Sequence, residues 1–268
     1  EPYRRQRQMC IRDRAWTDEA TILTLYESGI DSLFNFPASD STGRFVKAAL
    51  AGKSSTVATA QADWNARIRA VSPASVDAPF VSNHDMARAR GMLRSKVPNE
   101  KAAALLYLLM PGVPTVYYGE ELGMSGSGSD ENKRLPMVWS SDAATQCKAP
   151  AAADQAQRLT DGVAEQDSDP DSLLNWYRQL IALRNLAPEL TRGEMTALDG
   201  GNDAICAYTV TDAGSTVAII SNVSQKDTLT VSLDVLRGAE LLGGIGGAAF
   251  ADGTANLPPL SGIIVRLP

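Results

Sequence analysis

Asn83, His84 and Asp85 stand in a row between a short apolar run, Phe80-Val81, and a basic stretch with arginines at 88, 90 and 94. An amide, an imidazole and a carboxylate offer donors, a titratable ring and an anion that could meet a polar ligand. His84 is the one histidine of the chain, so any histidine mechanism has a single candidate. A zinc hydrolase or metal phosphohydrolase needs several His or Cys ligands, which this composition does not supply. A Ser-His-Asp triad fails too. Its aspartate must bond the imidazole from behind, and neighbours in an extended chain point to opposite faces. What remains is a carboxylate and an imidazole that both reach a polar ligand, with plain helix capping as the structural alternative.

Something must present this trio, and the flanking pattern indicates how. Pro79 to Ser82 reads as a strand ending in polar groups at a strand-to-helix junction, which is where barrel enzymes keep their chemistry. Upstream, Thr17 to Tyr26 has helical spacing with Asp18 and Glu19 in its first turn. Ile30 to Phe36 alternates like a strand and stops at Pro37, and residues 43 to 72 are Ala-rich and helical with a polar break near Gly52 to Ser55. Downstream, Asn99 is the expected cap of a helix from Glu100 to Met110, ended by Pro111-Gly112. Val113 to Tyr118 is the next expected strand, followed by Gly119-Glu120-Glu121. Strands separated by helical stretches predict βα units around a parallel sheet.

Residues 122 to 169 are rich in Gly, Ser, Asp and Ala, with one ordered-looking island from Arg134 to Trp139. Asp171 to Leu186 returns to helical spacing, and Pro188 marks a boundary. Beyond it, Ala204 to Val210, Val217 to Ser221, Thr228 to Leu233 and Ile263 to Leu267 alternate between turn signals. They predict a small antiparallel β domain. Its expected role is to pack on the preceding part, glycan binding being the alternative. The expected organisation is 1–14, 15–187 and 188–268.

The first segment stands apart. Residues 1–14 hold five of the 25 Lys and Arg residues and resemble the conceptual translation of a sequencing-library adapter. They are expected to be non-native; the competing reading, a basic targeting arm, lacks the apolar core of a signal peptide. A net charge of −6 and a pI near 4.9 argue against a nucleic-acid partner. The longest apolar run, Ala102 to Met110, falls short of the roughly 20 residues of a membrane helix, so no membrane partner is expected. Cysteines at 10, 147 and 206 match no metal spacing and leave a Cys147–Cys206 disulfide open.

These pieces resemble the α-amylase family, glycoside hydrolase family 13. Phe80 through Asp85 is similar to its strand-seven motif, Leu33 through Pro37 to strand six, and Pro111 through Gly123 to strand eight with its loop. Arg134 through Trp139 and the helix end Leu180 through Arg184 fit in family order. The resemblance implies an α/β fold: the C-terminal part of a (β/α)8 TIM barrel, strands six to eight, followed by a small antiparallel β-sandwich domain. It implies a retaining glycoside hydrolase acting on α-glucans such as starch and maltooligosaccharides, with a nucleophile and a general acid/base about 5 Å apart. Asp85 would be the family's third carboxylate, binding sugar hydroxyls more strongly in the transition state and raising the acid's pKa. His84 would hydrogen-bond sugar hydroxyls beside the scissile bond. Asp130 and Arg134 would hold the next sugar on the non-reducing side, a surface ion pair being their alternative.

The same resemblance places the nucleophile and the acid on strands four and five, and no Asp or Glu here matches those motifs. The chain is therefore expected to be a truncated, inactive piece of such an enzyme, the alternative being a non-catalytic α-glucan-binding or structural protein. Glu120 and Glu121 are expected to be structural, and Arg88 to brace the loop rather than touch sugar. Most of Phe36, Tyr117, Tyr118 and Trp139 are expected in the core, stacking on sugar faces being their alternative. No cofactor is expected within this chain. Calcium, common in the family, would involve residues beyond it, and a secreted or periplasmic location is favoured over a cytoplasmic one.

Overall fold

A computed structural model describes residues 15–268 apart from 143, 145 and 158. The segment set aside as non-native, 1–14, lies outside the described residues, and Cys10 with it. Helix α1, Glu19–Tyr26, is capped by Asp18, whose carboxylate accepts from the Thr21 N–H at 2.9 Å. Ile22 and Tyr26 bury its inner face. Strand β1, Ser32–Phe34, follows, then α2, Arg44–Ala51, and α3, Ser55–Val71. Gly52 ends α2 in the left-handed region at φ 64°, where the sequence shows its polar break. Strand β2, Val76–Ala78, pairs with β1 in parallel, Leu33 opposite Asp77.

The second strand thus lies three residues before its expected start at Pro79. Proline has no N–H to give a ladder, and that absence also shapes the next segment. Val113 N–H donates to Asp77 O at 2.8 Å and Thr115 N–H to Pro79 O at 2.9 Å. The returning bond would need the missing Pro79 N–H. The expected third strand therefore runs alongside β2 without closing a ladder. Gly112 makes that approach feasible: at φ +110° a Cβ here would sit 2.1 Å from Asp77 O.

Helices α4, Ala89–Met92, and α5, Val97–Leu109, come between β2 and that segment. The start of α5 is a correction. Pro98 occupies its first turn, a position that tolerates the lost donor, and Asn99 is internal, its amide donating to Leu93 O. Two short helices, α6, Asp130–Lys133, and α7, Val163–Ser168, punctuate the loop-rich stretch before α8, Leu173–Asn185. Arg184 of α8 donates to the carbonyls of Leu108, Met110, Gly112 and Leu190, tying the end of α5 to the turn that follows.

The remaining strands are β3, Glu194–Leu198, β4, Ile205–Asp212, β5, Ser215–Asn222, β6, Leu229–Ser232, β7, Glu240–Ile245, β8, Ala249–Ala251, β9, Thr254–Leu257, and β10, Ser261–Arg266. They form two antiparallel sheets, ordered β3-β4-β5-β10-β7 and β6-β9-β8. One face of the larger sheet, with Ile205, Ile220 and Ile263, packs on Val231, Ala255 and Leu257 of the smaller. Its other face, with Tyr208, Val217, Ile219 and Ile264, joins Phe45, Leu105 and Leu180 in the main core. The core is continuous across Pro188. Cys147 is exposed and Cys206 buried, and both are free thiols. Among the described residues no helix is long and apolar enough to cross a membrane.

Candidate active site

The paired strands rest on a buried carboxylate. Asp77 of β2 accepts from Trp64 Nε1 and Asn35 Nδ2, both at 2.9 Å, and from Gln61 Nε2. Burial raises its pKa and the three hydrogen bonds oppose the shift. Past Ala78 the chain stays buried through Ser82, then delivers Asn83, His84 and Asp85 to the C-terminal end of the strands. Asn83 Oδ1 accepts from the Asp85 N–H at 2.8 Å, an Asx turn that fixes the bend. The Asp85 carboxylate then faces outward, partly exposed, with His84 Nε2 at 3.4 Å from its Oδ2.

Arg134 completes the group. Its Nη2 lies 3.4 Å from Asp85 Oδ1 and 3.1 Å from Asp130 Oδ2. All four site residues singled out in the sequence thus converge, the exposed Asp130–Arg134 i, i+4 pair being joined to Asp85 through Arg134. A fifth residue joins them. Lys133 Nζ donates to the Asp85 carbonyl at 2.9 Å and to Asp130 Oδ1 at 3.1 Å. The Lys133 hydrogen bond, then Arg134, holds the Asp130 carboxyl below its ordinary pKa. Nothing in the sequence marked Lys133 beyond its place beside Arg134.

Arg88 braces the loop that carries these groups. It is buried, with Nη1 donating to Tyr118 O at 2.6 Å, Nε to Lys133 O at 2.9 Å and Nη2 to Leu135 O at 3.4 Å. Its guanidinium also lies over the rings of Tyr117 and Tyr118, 4.7 and 4.6 Å from their centroids. The phenols repeat the arrangement, Tyr117 Oη donating to Lys133 O and Tyr118 Oη to Leu135 O. Phe36 is buried, whereas Trp139 and Tyr118 are exposed, so the aromatic set is less internal than expected.

Glu120 lies beneath the site, not in it. Its Oε2 accepts from Ser82 Oγ at 2.8 Å, and its Oε1 from Tyr107 Oη at 2.8 Å and Tyr177 Oη at 2.9 Å. Burial pushes its carboxyl up to about 7, against the pull of those three hydroxyls. Glu121 is raised by burial as well, and its Oε2 has no partner. Among the described residues no three His, Cys, Asp or Glu side chains come together to hold a metal ion.

With this geometry in hand, the similarities to known proteins are specific. The sequence model of the family described as alpha amylase, catalytic domain, matches residues 4–193, taking in most of the arginine-rich segment. Alpha-amylase 3 of Dictyoglomus thermophilum is 26% identical over 256 residues, 94% of this chain and 50% of that protein. Alpha-amylase SusG of Bacteroides thetaiotaomicron is 34% identical over 156 residues, 55% of this chain and 22% of that protein. Among solved structures, Amy13B of Eubacterium rectale superposes with a TM-score of 0.87 at 33% identity, covering 95% of this chain and 52% of that one. The chain thus spans about half the length, or less, of the relatives it matches. Its parallel strands, the residues gathered at their ends and a family match across most of its length make it a member of the α-amylase catalytic-domain family, glycoside hydrolase family 13.

Proposed function

We propose that this chain supplies the transition-state-binding carboxylate, Asp85, to a retaining glycoside hydrolase acting on α-glucans such as starch and maltooligosaccharides. In this reading β1, β2 and the Val113–Tyr118 segment are strands six, seven and eight of the barrel, and residues 188–268 are the C-terminal β-sandwich. One observation carries the reading: His84, Asp85, Asp130 and Arg134 converge at the C-terminal end of the parallel strands. Asp85 would accept hydrogen bonds from ring hydroxyls, which tighten as the sugar takes on oxocarbenium character. His84 would add a ring nitrogen to the same sugar, and Asp130 with Arg134 an acceptor and a donor for the neighbouring one.

Neither exposed carboxylate here suits the nucleophile or the acid. Asp85 and Asp130 share the Arg134 guanidinium, and neither stands in a motif of the strands to which the family resemblance assigns those two roles. Glu120 has an acid-like pKa of about 7 but is only 5% exposed, with both oxygens taken by hydroxyls. The chain by itself is therefore expected to bind maltooligosaccharides without hydrolysing them. Reducing-end assays on starch and maltoheptaose check this, and turnover that disappears in Asp85→Ala would overturn it. The same missing pair favours a second reading, glucan binding without catalysis. A polypeptide carrying the family's strand-four and strand-five carboxylates, added in trans, separates the two: Asp85-dependent turnover supports the catalytic reading.

A further inference from the structure

Asp85 is held by its backbone on both sides. Its N–H is bonded to Asn83 Oδ1 at 2.8 Å and its C=O to Lys133 Nζ at 2.9 Å. Only the carboxylate is left to meet a ligand. The same ammonium reaches Asp130 Oδ1 at 3.1 Å, so one side chain touches both carboxylate-bearing residues of the site. It is well placed to do so permanently. The Lys133 side chain is 13% exposed against 44% for Arg134. The Lys133 carbonyl is pinned in turn by Arg88 Nε and Tyr117 Oη. A compact ammonium with three rotatable donors suits a carbonyl and a carboxylate at once, where a planar guanidinium would prefer a forked partner. Arg134, by contrast, is exposed and 3.4 Å from Asp85, a contact that sugar hydroxyls can replace.

We propose that Lys133 is a positioning residue: it sets the spacing between Asp85 and Asp130, so that adjacent glucose rings meet both carboxylates at once. The proposal rests on the reading that Asp85 and Asp130 bind sugar hydroxyls. It assigns Lys133 to pre-organisation, holding one residue of the site relative to another before any ligand arrives.

The test compares a two-site ligand with a one-site ligand on the 268-residue chain. Saturation-transfer NMR titrations with maltotriose and with methyl α-glucoside are run on the wild type, Lys133→Met, Lys133→Arg and Asp85→Asn. Lys133→Met is expected to weaken maltotriose binding about tenfold, the scale of a lost charged hydrogen bond. Methyl α-glucoside should bind it as it binds the wild type, and Lys133→Arg, whose planar fork does not suit a carbonyl and a carboxylate together, should recover little of the maltotriose affinity. A merely structural lysine would change both ligands together. Wild-type maltotriose binding by a folded Lys133→Met, or an equal loss of both ligands, overturns the proposal, and Asp85→Asn then tells whether the sugar-binding reading survives. Should Lys133→Met fail to fold, Lys133→Gln must show the same split between ligands or the proposal falls. If Asp85→Asn binds like the wild type, or the wild type binds neither ligand, the underlying reading is wrong and takes the proposal with it.

Discussion

Glu120 carries a proton balance set by its burial. Its carboxyl, ordinarily near 4.5, is raised to about 7 because burial costs the charged form more than Ser82, Tyr107 and Tyr177 return. A raised carboxyl pKa means that the folded chain binds the proton more tightly than the unfolded one. The stability this contributes is complete below pH 4.5 and is lost as pH rises through about 7. The shift corresponds to about 3 kcal/mol across that window. Glu120→Gln keeps an acceptor for the two phenols and offers Ser82 a donor, as the protonated acid does. Thermal melts from pH 4.5 to 8 should therefore show a smaller loss of stability with rising pH in Glu120→Gln than in the wild type. An unchanged slope would mean that the carboxyl does not titrate in that range. His84 and Asp85 stood out by type and position after an apolar run, and Asp130 and Arg134 only by the family resemblance; the fold brings the four side chains together. Lys133 and Glu120 did not stand out, because a lysine beside an arginine and one of two adjacent glutamates gain their meaning only from what the fold places against them.

At the scale of elements, α1 and α2 were found near their true ends, whereas the start of α5 was misplaced at Asn99. Asp18 caps α1 and Gly52 ends α2 with a left-handed residue, both local chemistry. Strands were read less well. Pro79 lies just past β2, where its ring removes the donor that would have extended the parallel ladder, and Phe80-Val81 is apolar because it is buried, not because it pairs. Strand β7 contains Gly243 and Gly244, while Gly246, Gly247 and Gly253 lie in the turns that join β7, β8 and β9; so glycine-rich a stretch reads as turns throughout, and the pairing with β10 and β6 is what makes its strands sheet. Gly112 shows the same dependence. Read alone it ends a helix, yet its second task is to let Val113 lie against Asp77. Gly112→Ala puts a Cβ 2.1 Å from a carbonyl oxygen at φ +110°. It should cost about 3 kcal/mol or more in urea denaturation. A cost under about 1 kcal/mol would show that the segment can move away from β2 at little expense.

For the whole molecule, the question is whether the chain is two bodies or one. Composition places a boundary at Pro188, and the β strands beyond it do form their own sheets. Yet the larger sheet has two apolar faces. Ile205, Ala207, Ile220 and Val265 face the smaller sheet, while Cys206, Tyr208, Ile219 and Ile264 fill the core that α2, α5 and α8 also line. Tyr208 Oη donates to Leu109 O at 2.8 Å, a buried bond from the sheet to the last turn of α5. A sheet covered on both faces cannot leave without exposing helix, so opening one part should open the other. Ile219→Ala tests this from a single buried position. The cavity should cost about 3 kcal/mol. In one cooperative body that loss appears equally in the hydrogen exchange of Leu105 to Leu109 on α5 and of Ile205 to Val210 on β4. If the β4 amides lose protection while those of α5 keep it, the sheet is a separate unit that merely leans on the helices. The hold that α5 and α8 exert on Glu120, and through Ser82 on the strand leading to Asp85, would then owe nothing to the last eighty or so residues.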